Sequence, residues 1–597
     1  VKHAHVLGPT KGDRRPRRLI FFDTETRMEF QADWRTVHRL RVGVAQFHTY
    51  DPTDGWSFRK ELVFRAPGEF WSWVDAGCKP KSTTYLVAHN IVFDLSVTGG
   101  FKRLAELGWE LGSWYQKGMV GIFRWRKDER RLVGLDNGNF FGGKLEKWGE
   151  RLGLPKLEVD FRTVEDDELI VYCRRDVEIM VRLWQTWLRF LDDHGCGSFK
   201  PTVSSTAFNT WRRRFLRERV HIHTDELATE IEREAYKGGR TECLWLGYSA
   251  QGPYYYLDVN NMYGYVLSTF EYPAGLWNSV EQGDPYNLAY KLERHAVIAR
   301  VLVEVDEPVY PFELFGHVCY PLGSYWTTLT TPELELAWRR GWIRDVGAMA
   351  WYRKARLFDE YVREFYELRR RYRREGNEGF AQICKLLING LYGKFGQKGL
   401  IQEVIGDCDP SIVRREEVFC PETGEIWDQV WLGGKIFRER REGEAYHSFP
   451  GIAAHVTAYA RMVLWELARR VPKRHLYYMD TDSLIVDRVG YEALKPFVQP
   501  DRLGALKVEL ESSTLEINAP KDYRMDRRIR QKGISAQAVE VRNGAWMQEH
   551  WPKLPGLIRA GVSEGYYTQM TVRSRSGRFH QGIVRPDGWV EPFHLEE

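Results

Sequence analysis

Three apolar runs in this sequence lead straight into carboxylates. Leu19 to Phe22 precedes Asp23 and Glu25, Tyr254 to Leu257 precedes Asp258, and Leu476 to Met479 precedes Asp480 and Asp482. Such runs read as buried strands. Acidic side chains at the ends of buried strands need a compensating cation, because desolvating an unpaired carboxylate is unfavourable. The chain has 597 residues, too many for one hydrophobic core, and predicts roughly three to five domains.

Residues 1–195 read as alternating strands and helices. Asp23 and Glu25 stand two apart at a strand end, so they face the same way. "TTYLVAHN" repeats the strand pattern, and Asp94 closes the "HNIVFD" that follows. From about Thr163 to Phe190 the spacing turns helical, with Leu169, Tyr172, Cys173, Asp176, Ile179, Met180, Leu183 and Trp187 on one face. Four carboxylates from three elements suit two Mg²⁺ or Mn²⁺ ions. One ion turns water into hydroxide and the other stabilises a leaving oxygen, with Tyr172 orienting the water. Each element alone is unremarkable, since an Asp-x-Glu is mostly a surface pair; the ordered combination carries the weight. His194 to Lys200, with two glycines, reads as a linker.

The second region starts near Pro201. Asp258 ends the strand "YYYLDV", with Tyr263 five residues on, and Asp480 and Asp482 flank a tight turn between two short strands. Two-metal nucleotidyl transfer needs carboxylates that converge from separate strands. Phe358 to Gly396 reads as helical, and its "KLLINGLYGKFG" puts Lys385, Asn389 and Tyr392 on one face. Lys385 meets phosphate charge there, Asn389 and Tyr392 pack at the nucleotide, and Arg373 upstream adds a second phosphate contact. The plain alternatives are a good turn sequence and an amphipathic helix with a solvated lysine.

The first set resembles the DEDDy 3′→5′ exonuclease domain of family B DNA polymerases, through Asp23 and Glu25, then Asn90, Phe93 and Asp94, then Tyr172 and Asp176. The second set looks like motifs A, B and C of the same family. The resemblance implies an RNase H-like domain ahead of a right-hand palm, fingers and thumb. It implies that Asn90 and Phe93 touch a frayed primer end, that Phe140 (with Asn139) contacts single-stranded DNA, and that Lys156 is an auxiliary catalytic lysine. It assigns Asp258 and Asp482 as main polymerase metal ligands, with the Val259 backbone beside them and Asp480 in support. Met262 and Tyr263 flank the sugar, and Tyr263 is the gate whose bulk excludes a 2′-hydroxyl. "YKGG", with Tyr236, Gly238 and Gly239, looks like the motif that contacts template, and Lys521 and Tyr523 of "KDY" like the one that holds the primer. Asn261 stands where Ser is common, Gly264 where Pro is common, and Gly390 where Ser is common.

The compact length resembles the protein-primed polymerases of small linear-genome phages and plasmids. The implied fold class is α/β multidomain. Residues 1–195 form a leader and the RNase H-like exonuclease domain, and 196–269 a linker and the first palm part. A first insertion, 270–356, contacts a terminal protein. The fingers take 357–398, and a second insertion, 399–446, gives processivity and strand displacement. Palm with motif C and Lys-x-Tyr takes 447–525, and the thumb 526–597. Expected partners are DNA primer-template, dNTPs and a terminal protein. Expected cofactors are two Mg²⁺ or Mn²⁺ ions per active site. Two rivals remain: a primer-independent family B polymerase of a mobile element, and a DNA-binding nuclease with a vestigial palm.

Composition narrows the setting. Net charge is +5, but the basic residues bunch at Arg14–Arg18, Arg212–Arg219, Arg369–Arg374 and Arg527–Lys532, which suits a phosphate backbone. Any one cluster alone reads as a solvated face. The eight cysteines show no CxxC pair, which predicts a reducing, cytoplasmic setting without a zinc ribbon. No apolar run is long enough to span a bilayer and no signal peptide is seen. The expectation is a monomer with no membrane contact and a flexible basic leader over the first 18 residues.

Overall fold

The computed structural model describes residues 2–161, 163–440, 443–542, 544–574 and 579–596. The nuclease-like region is built on a ten-stranded sheet. Strand β1 (Arg18–Phe30) runs antiparallel to β2 (Arg35–Asp51) and parallel to β3 (Thr83–Ala88). The parallel pairing spans only Leu19 to Phe21. After β3 the chain turns through left-handed Asn90 (φ 73°) into helix α1 (Ile91–Val97). Asp23 and Glu25 therefore sit inside a longer strand rather than at its end, where the parallel neighbour has left. Helix α2 (Asp166–Asp193) packs across β1 and β2 there. It starts three residues later than the periodicity predicts, with Asp166, Asp167 and Glu168 in its first turn, where acidic charge favours the helix dipole. All eight residues of its expected face are buried except for slivers of surface.

A second sheet carries the other carboxylates. Its strands are β4 (Thr241–Cys243), β5 (Tyr254–Val259), β6 (Leu476–Asp480), β7 (Ser483–Asp487) and β8 (Leu506–Ser512), in spatial order β4-β6-β7-β5-β8. Register places Asp258 between Ser483 and Lys507, and Asp480 beside Thr241. Helix α3 (Met262–Thr269) leaves β5 and packs on α4 (Asp359–Arg374) and α5 (Glu378–Gly390). Helix α6 (Pro450–Ala468) is buried along most of its length.

The remaining segments differ from expectation in instructive ways. Residues 399–446, which read as loops and hairpins, hold a four-stranded antiparallel sheet that docks on the nuclease edge: Lys435 reaches Glu110, and Gln402 accepts from the Trp114 amide. Residues 270–356 supply four strands of another sheet, whose fifth is His594–Leu595. The segment 526–597, expected as one thumb, is divided. Strands Val539–Arg542, Ala545–His550 and Tyr566–Ser574 extend the nuclease sheet through β2, while Trp589 bridges back to Trp245. The leader is tied down rather than free. His5–Leu7 pairs with Val220–Ile222, and Arg15, almost fully buried, bonds Asp192 and the Gly197 carbonyl. Backbone hydrogen bonds to distant strands hold what its polar composition suggested would be loose.

One charge lies where the apolar helix α6 has no solvent to offer it. Arg461 pairs with Glu333 at 2.7 Å, each with 2% of its side chain exposed. The same guanidinium donates to the Lys237 and Gly238 carbonyls, at 3.0 and 2.9 Å. It thereby fixes the loop Tyr236–Gly239 against the core. Replacing Arg461 by Met strands a buried carboxylate, and should destabilise the fold by about 3–5 kcal/mol. Urea unfolding measures this; a loss under about 1 kcal/mol, the size of a surface pair, contradicts it.

Candidate active sites

In the first centre, Asp23, Glu25 and Asp176 bring carboxylate oxygens within 4.8 Å of one another. Among the described residues no other group of three metal-ligating side chains does so. The crowding is electrostatically unfavourable and the protein enforces it. Burial, then the Asp176 charge, pushes the Asp23 carboxyl up to about 7. Burial, then Asp23 and Asp176, lifts Glu25 well above the usual range. Burial also raises Asp176, against the pull of Lys156. Lys156 Nζ lies 2.5 Å from Asp176 Oδ2 and 4.6 Å from the Tyr172 ring centroid. Burial opposes its charge, but Asp176 and Asp23 outweigh that and hold the ammonium above its ordinary value. Cys173 adds a thiol 3.3 Å from Asp23 Oδ2. Asp94, expected as a fourth ligand, is not in the three-residue group: its Oδ1 accepts from Thr24 Oγ1 at 2.7 Å. It remains close enough for the Asp23 charge, after burial, to raise it well above the usual range.

The donor set fits a hard divalent cation, since it is all oxygen and over-supplied with negative charge. One atom points the same way. Asp176 Oδ1 is buried with no hydrogen-bond partner, a rare state for a carboxylate oxygen in a folded protein.

In the second centre, Val259 donates its N–H to the Asp482 carbonyl at 2.7 Å, joining β5 to the β6–β7 turn. Burial, then Asp258 and Asp480, pushes Asp482 up to about 7. Burial also raises Asp258, against Lys507, whose Nζ lies 3.4 Å away. Asp480 is held by Lys521 Nζ at 2.5 Å and by Thr241 Oγ1 at 3.0 Å. Thr481 turns the hairpin in the left-handed region (φ 61°) and donates its N–H to the Arg240 carbonyl at 2.6 Å. A Cβ on Gly239 would meet that turn at 2.9 Å, so the Tyr236–Gly239 loop lies directly against it. Lys385 and Asn389 are exposed on α5. Burial, then Arg369 and Lys507, depresses Lys385, with Arg373 adding to the effect. Lys507 and Lys385 thus bear on Asp258, and Arg369 and Arg373 on Lys385. Tyr392 lies just past the helix, in the turn Tyr392–Lys394, and stacks on Tyr263 with centroids 4.8 Å apart at 21°.

The sequence and fold have relatives. Residues 162–406 match the family described as DNA polymerase type B, organellar and viral. A probable DNA polymerase of Neurospora intermedia is 25% identical over 60% of this chain and 37% of its own length. One from Ascobolus immersus is 26% identical over 54% of this chain and 26% of its own. The chain therefore spans well under half of these curated relatives. Phi29 DNA polymerase, solved with primer-template DNA and incoming nucleotide, superposes with a TM-score of 0.64 at 15% identity, covering 95% of this chain and 100% of that one. The same polymerase with single-stranded DNA gives 0.59 over 87% and 93%. Over residues 162–406 the chain is similar to the type B DNA polymerases. Its fold is that of the phi29 enzyme.

Several expected contacts lie elsewhere than the resemblance implies. Phe140 is 1% exposed and packs among Trp184, Trp187 and Phe199, so it is core rather than a DNA contact. Asn139 is buried too, bonding Gly121. Tyr523 is 3% exposed and lies over Tyr478 and Tyr256, so it supports the turn carrying Lys521 rather than facing a primer. Met262, expected to flank a sugar, is 1% exposed and belongs to the core. Val259 is buried with its amide used. Phe93 keeps a partly open face, packed against His38 and Trp551. Asn90 makes the turn that aims it. Three residues of consequence were not foreseen: Lys507, Arg461 and Cys173. Arg461 had a signal, the one Lys or Arg in a largely apolar helix; Lys507 and Cys173 had none.

The Asp23, Glu25 and Asp176 carboxyls set a pH dependence of stability. A carboxyl raised in the fold favours the protonated state, so its contribution is present below about 4 and is lost as pH rises toward about 7. In chelator, Asp23→Asn should raise the melting temperature at pH 8 by roughly 1–3 °C and leave it unchanged at pH 4. A rise equal at both pH values contradicts the assignment.

Proposed function

We propose that this chain is a DNA-directed DNA polymerase that also removes 3′-terminal nucleotides, the two reactions running at separate centres. The observation that carries the polymerase is the convergence of Asp258 and Asp482 from adjacent strands, tied by the Val259–Asp482 hydrogen bond, beside the Lys385 face and the Tyr263–Tyr392 stack. Asp258, Asp482 and the Val259 carbonyl would hold divalent cations, Mg²⁺ or Mn²⁺. Bound there, such ions acidify a primer 3′-hydroxyl and neutralise the triphosphate. Lys385, with Arg369 and Arg373 behind it, receives the triphosphate oxygens. Tyr263 fills the space a 2′-hydroxyl would need, its ring braced by Tyr392. Lys521, held by Asp480, is placed to meet the primer strand. The Tyr236–Gly239 loop, clamped by Arg461, meets the template.

At the other centre Asp23, Glu25 and Asp176 would hold the cations, with Asp94 nearby. Tyr172 orients the attacking water, and Lys156 fixes both Tyr172 and Asp176. Phe93 and Asn90 receive the frayed primer end. The two insertions, each built on strands of its own, support protein-primed replication with strand displacement: 270–356 toward a terminal protein, 399–446 beside the DNA path. The descriptor "organellar and viral" suits a mobile or viral replicon. No helix among the described residues is long and apolar enough to cross a membrane.

Asp258→Ala or Asp482→Ala should abolish primer extension, by at least about a thousandfold, and spare degradation of single-stranded DNA. Asp23→Ala with Glu25→Ala should do the reverse. Paired extension and degradation assays decide it. If the double variant still trims a mismatched primer end, the nuclease centre is misplaced; if Asp482→Ala still extends, the polymerase centre is.

A further inference from the structure

Residues 2–8 lie against the neck through which the chain enters and leaves the segment 399–446, and histidines make the join. The neck is a short backbone pairing. Lys398 bridges Glu444, Gly399 donates its N–H to the Gly443 carbonyl at 3.3 Å, and Ala445 donates to the Gln397 carbonyl at 3.2 Å. Arg233, on the helix Glu226–Ala235, holds both sides of it: Nε meets Glu444 Oε1 at 2.7 Å and Nη1 meets the Gly396 carbonyl at 2.8 Å. The Tyr236 ring lies against Gly396, so the neck abuts the Tyr236–Gly239 loop.

The hydrogen bonds through the join run in one direction. Arg212, on the helix Val203–Arg214, can only donate, and its Nη1 lies 3.0 Å from His447 Nε2. That nitrogen is therefore bare, and neutral His447 carries its proton on Nδ1. Nδ1 lies 3.0 Å from His5 Nε2, which must accept. His5 then carries its own proton on Nδ1 and donates it to the His3 carbonyl at 2.8 Å. Every link requires both imidazoles neutral. A proton added to His447 sets an N–H against the Arg212 guanidinium, and one added to His5 sets N–H against N–H. His5 also stacks on Tyr446, with centroids 4.4 Å apart at 18°, and Tyr446 Oη meets His3 Nε2 at 3.1 Å. Arg212 completes the join through the Gly8 carbonyl, which accepts from Nε at 2.9 Å and Nη2 at 2.7 Å.

The groups that bear on His447 repel a second proton. Burial first, then Arg212, His5, Lys394 and Lys200, pushes it down to about 4. Glu444, three residues back, is engaged by Arg233 and by Ser448, whose Oγ donates at 2.8 Å. On the other side His5 faces His3 and Tyr446, while His221 lies opposite Val6 on the paired strand. Lys2 is lowered by burial against the pull of Glu232 and Glu444.

We propose that His5 and His447 form a pH-sensitive strap: neutral, they fasten residues 2–8 to the neck of the segment 399–446, and protonated, they release it. A histidine held below its ordinary value stabilises the join above about 6.5 and ceases to do so as pH falls toward about 4. Release frees one side of the neck, so the sheet that the neck carries moves more easily against the Tyr236–Gly239 loop. The strap uses neither carboxylate centre and holds whatever reaction the chain runs.

Hydrogen exchange of the full chain at pH 8 and pH 5, read by peptide mass and corrected for the intrinsic effect of pH, tests it. Peptides covering residues 2–8, 220–222 and 443–449 should open at least about tenfold more often at pH 5, while peptides within α6 keep their protection. In the double variant His5→Phe with His447→Gln nothing in the join titrates. Phenylalanine keeps the stack on Tyr446, and glutamine can still accept from Arg212. The ratio between the two pH values should then fall to about one, whatever the protection at pH 8. A step that survives in the double variant, or that is missing from the unsubstituted chain, overturns the proposal. An equal rise within α6 overturns it too, because the whole fold is then loosening.

Discussion

Repulsion between carboxylates that the backbone holds together governs both centres. At the first, the register of β1 against α2 brings Asp23, Glu25 and Asp176 within 4.8 Å. At the second, the pairing of β5 with the β6–β7 turn sets Asp258 beside Asp482. Neither arrangement is favourable for the side chains alone, as the raised carboxyls show. Sheet hydrogen bonding and apolar burial around the strands supply the opposing free energy. The result is a pair of sites preorganised for positive charge before any arrives, which is what electrostatic catalysis requires.

The protein tempers that repulsion with its own cations. Lys156 sits on Asp176, Lys507 on Asp258, and Lys521 on Asp480. Each lysine comes from an element other than the one carrying its carboxylate partner, so each also fastens two pieces of chain. Arg461 does similar work deeper down, where its pairing with Glu333 leaves donors free to grip the Tyr236–Gly239 loop. That loop touches the Thr481 turn, so a pair buried far from solvent helps set the floor of the second centre. Such coupling through rigid contacts fits a fold in which the C-terminal segment also reaches back, extending the ten-stranded sheet through β2.

What was legible in the sequence was local. Apolar runs ending in acids gave the strands, and helical spacing gave the face of α2 with Tyr172 and Asp176. The order of the two carboxylate sets gave the two centres. What was not legible was long-range. Phe140 looked like a DNA contact only through the resemblance, yet an aromatic core closes over it. Tyr523 looked like a primer contact, yet it packs on Tyr478 of a neighbouring sheet. Lys507 is one lysine in an alternating strand, and only the register opposite Asp258 gives it a role. The leader and the last strands were unreadable for the same reason: their partners lie hundreds of residues away, and strand pairing of that kind leaves no periodic trace.

The central claim is that two separate carboxylate sets are each completed by divalent cations. Anomalous diffraction from crystals grown with Mn²⁺, primer-template DNA and a non-hydrolysable dNTP tests it most directly. Manganese peaks are expected at both places, one among Asp23, Glu25 and Asp176 and one between Asp258 and Asp482. A peak at only one of them, or manganese bound by other residues, would contradict it.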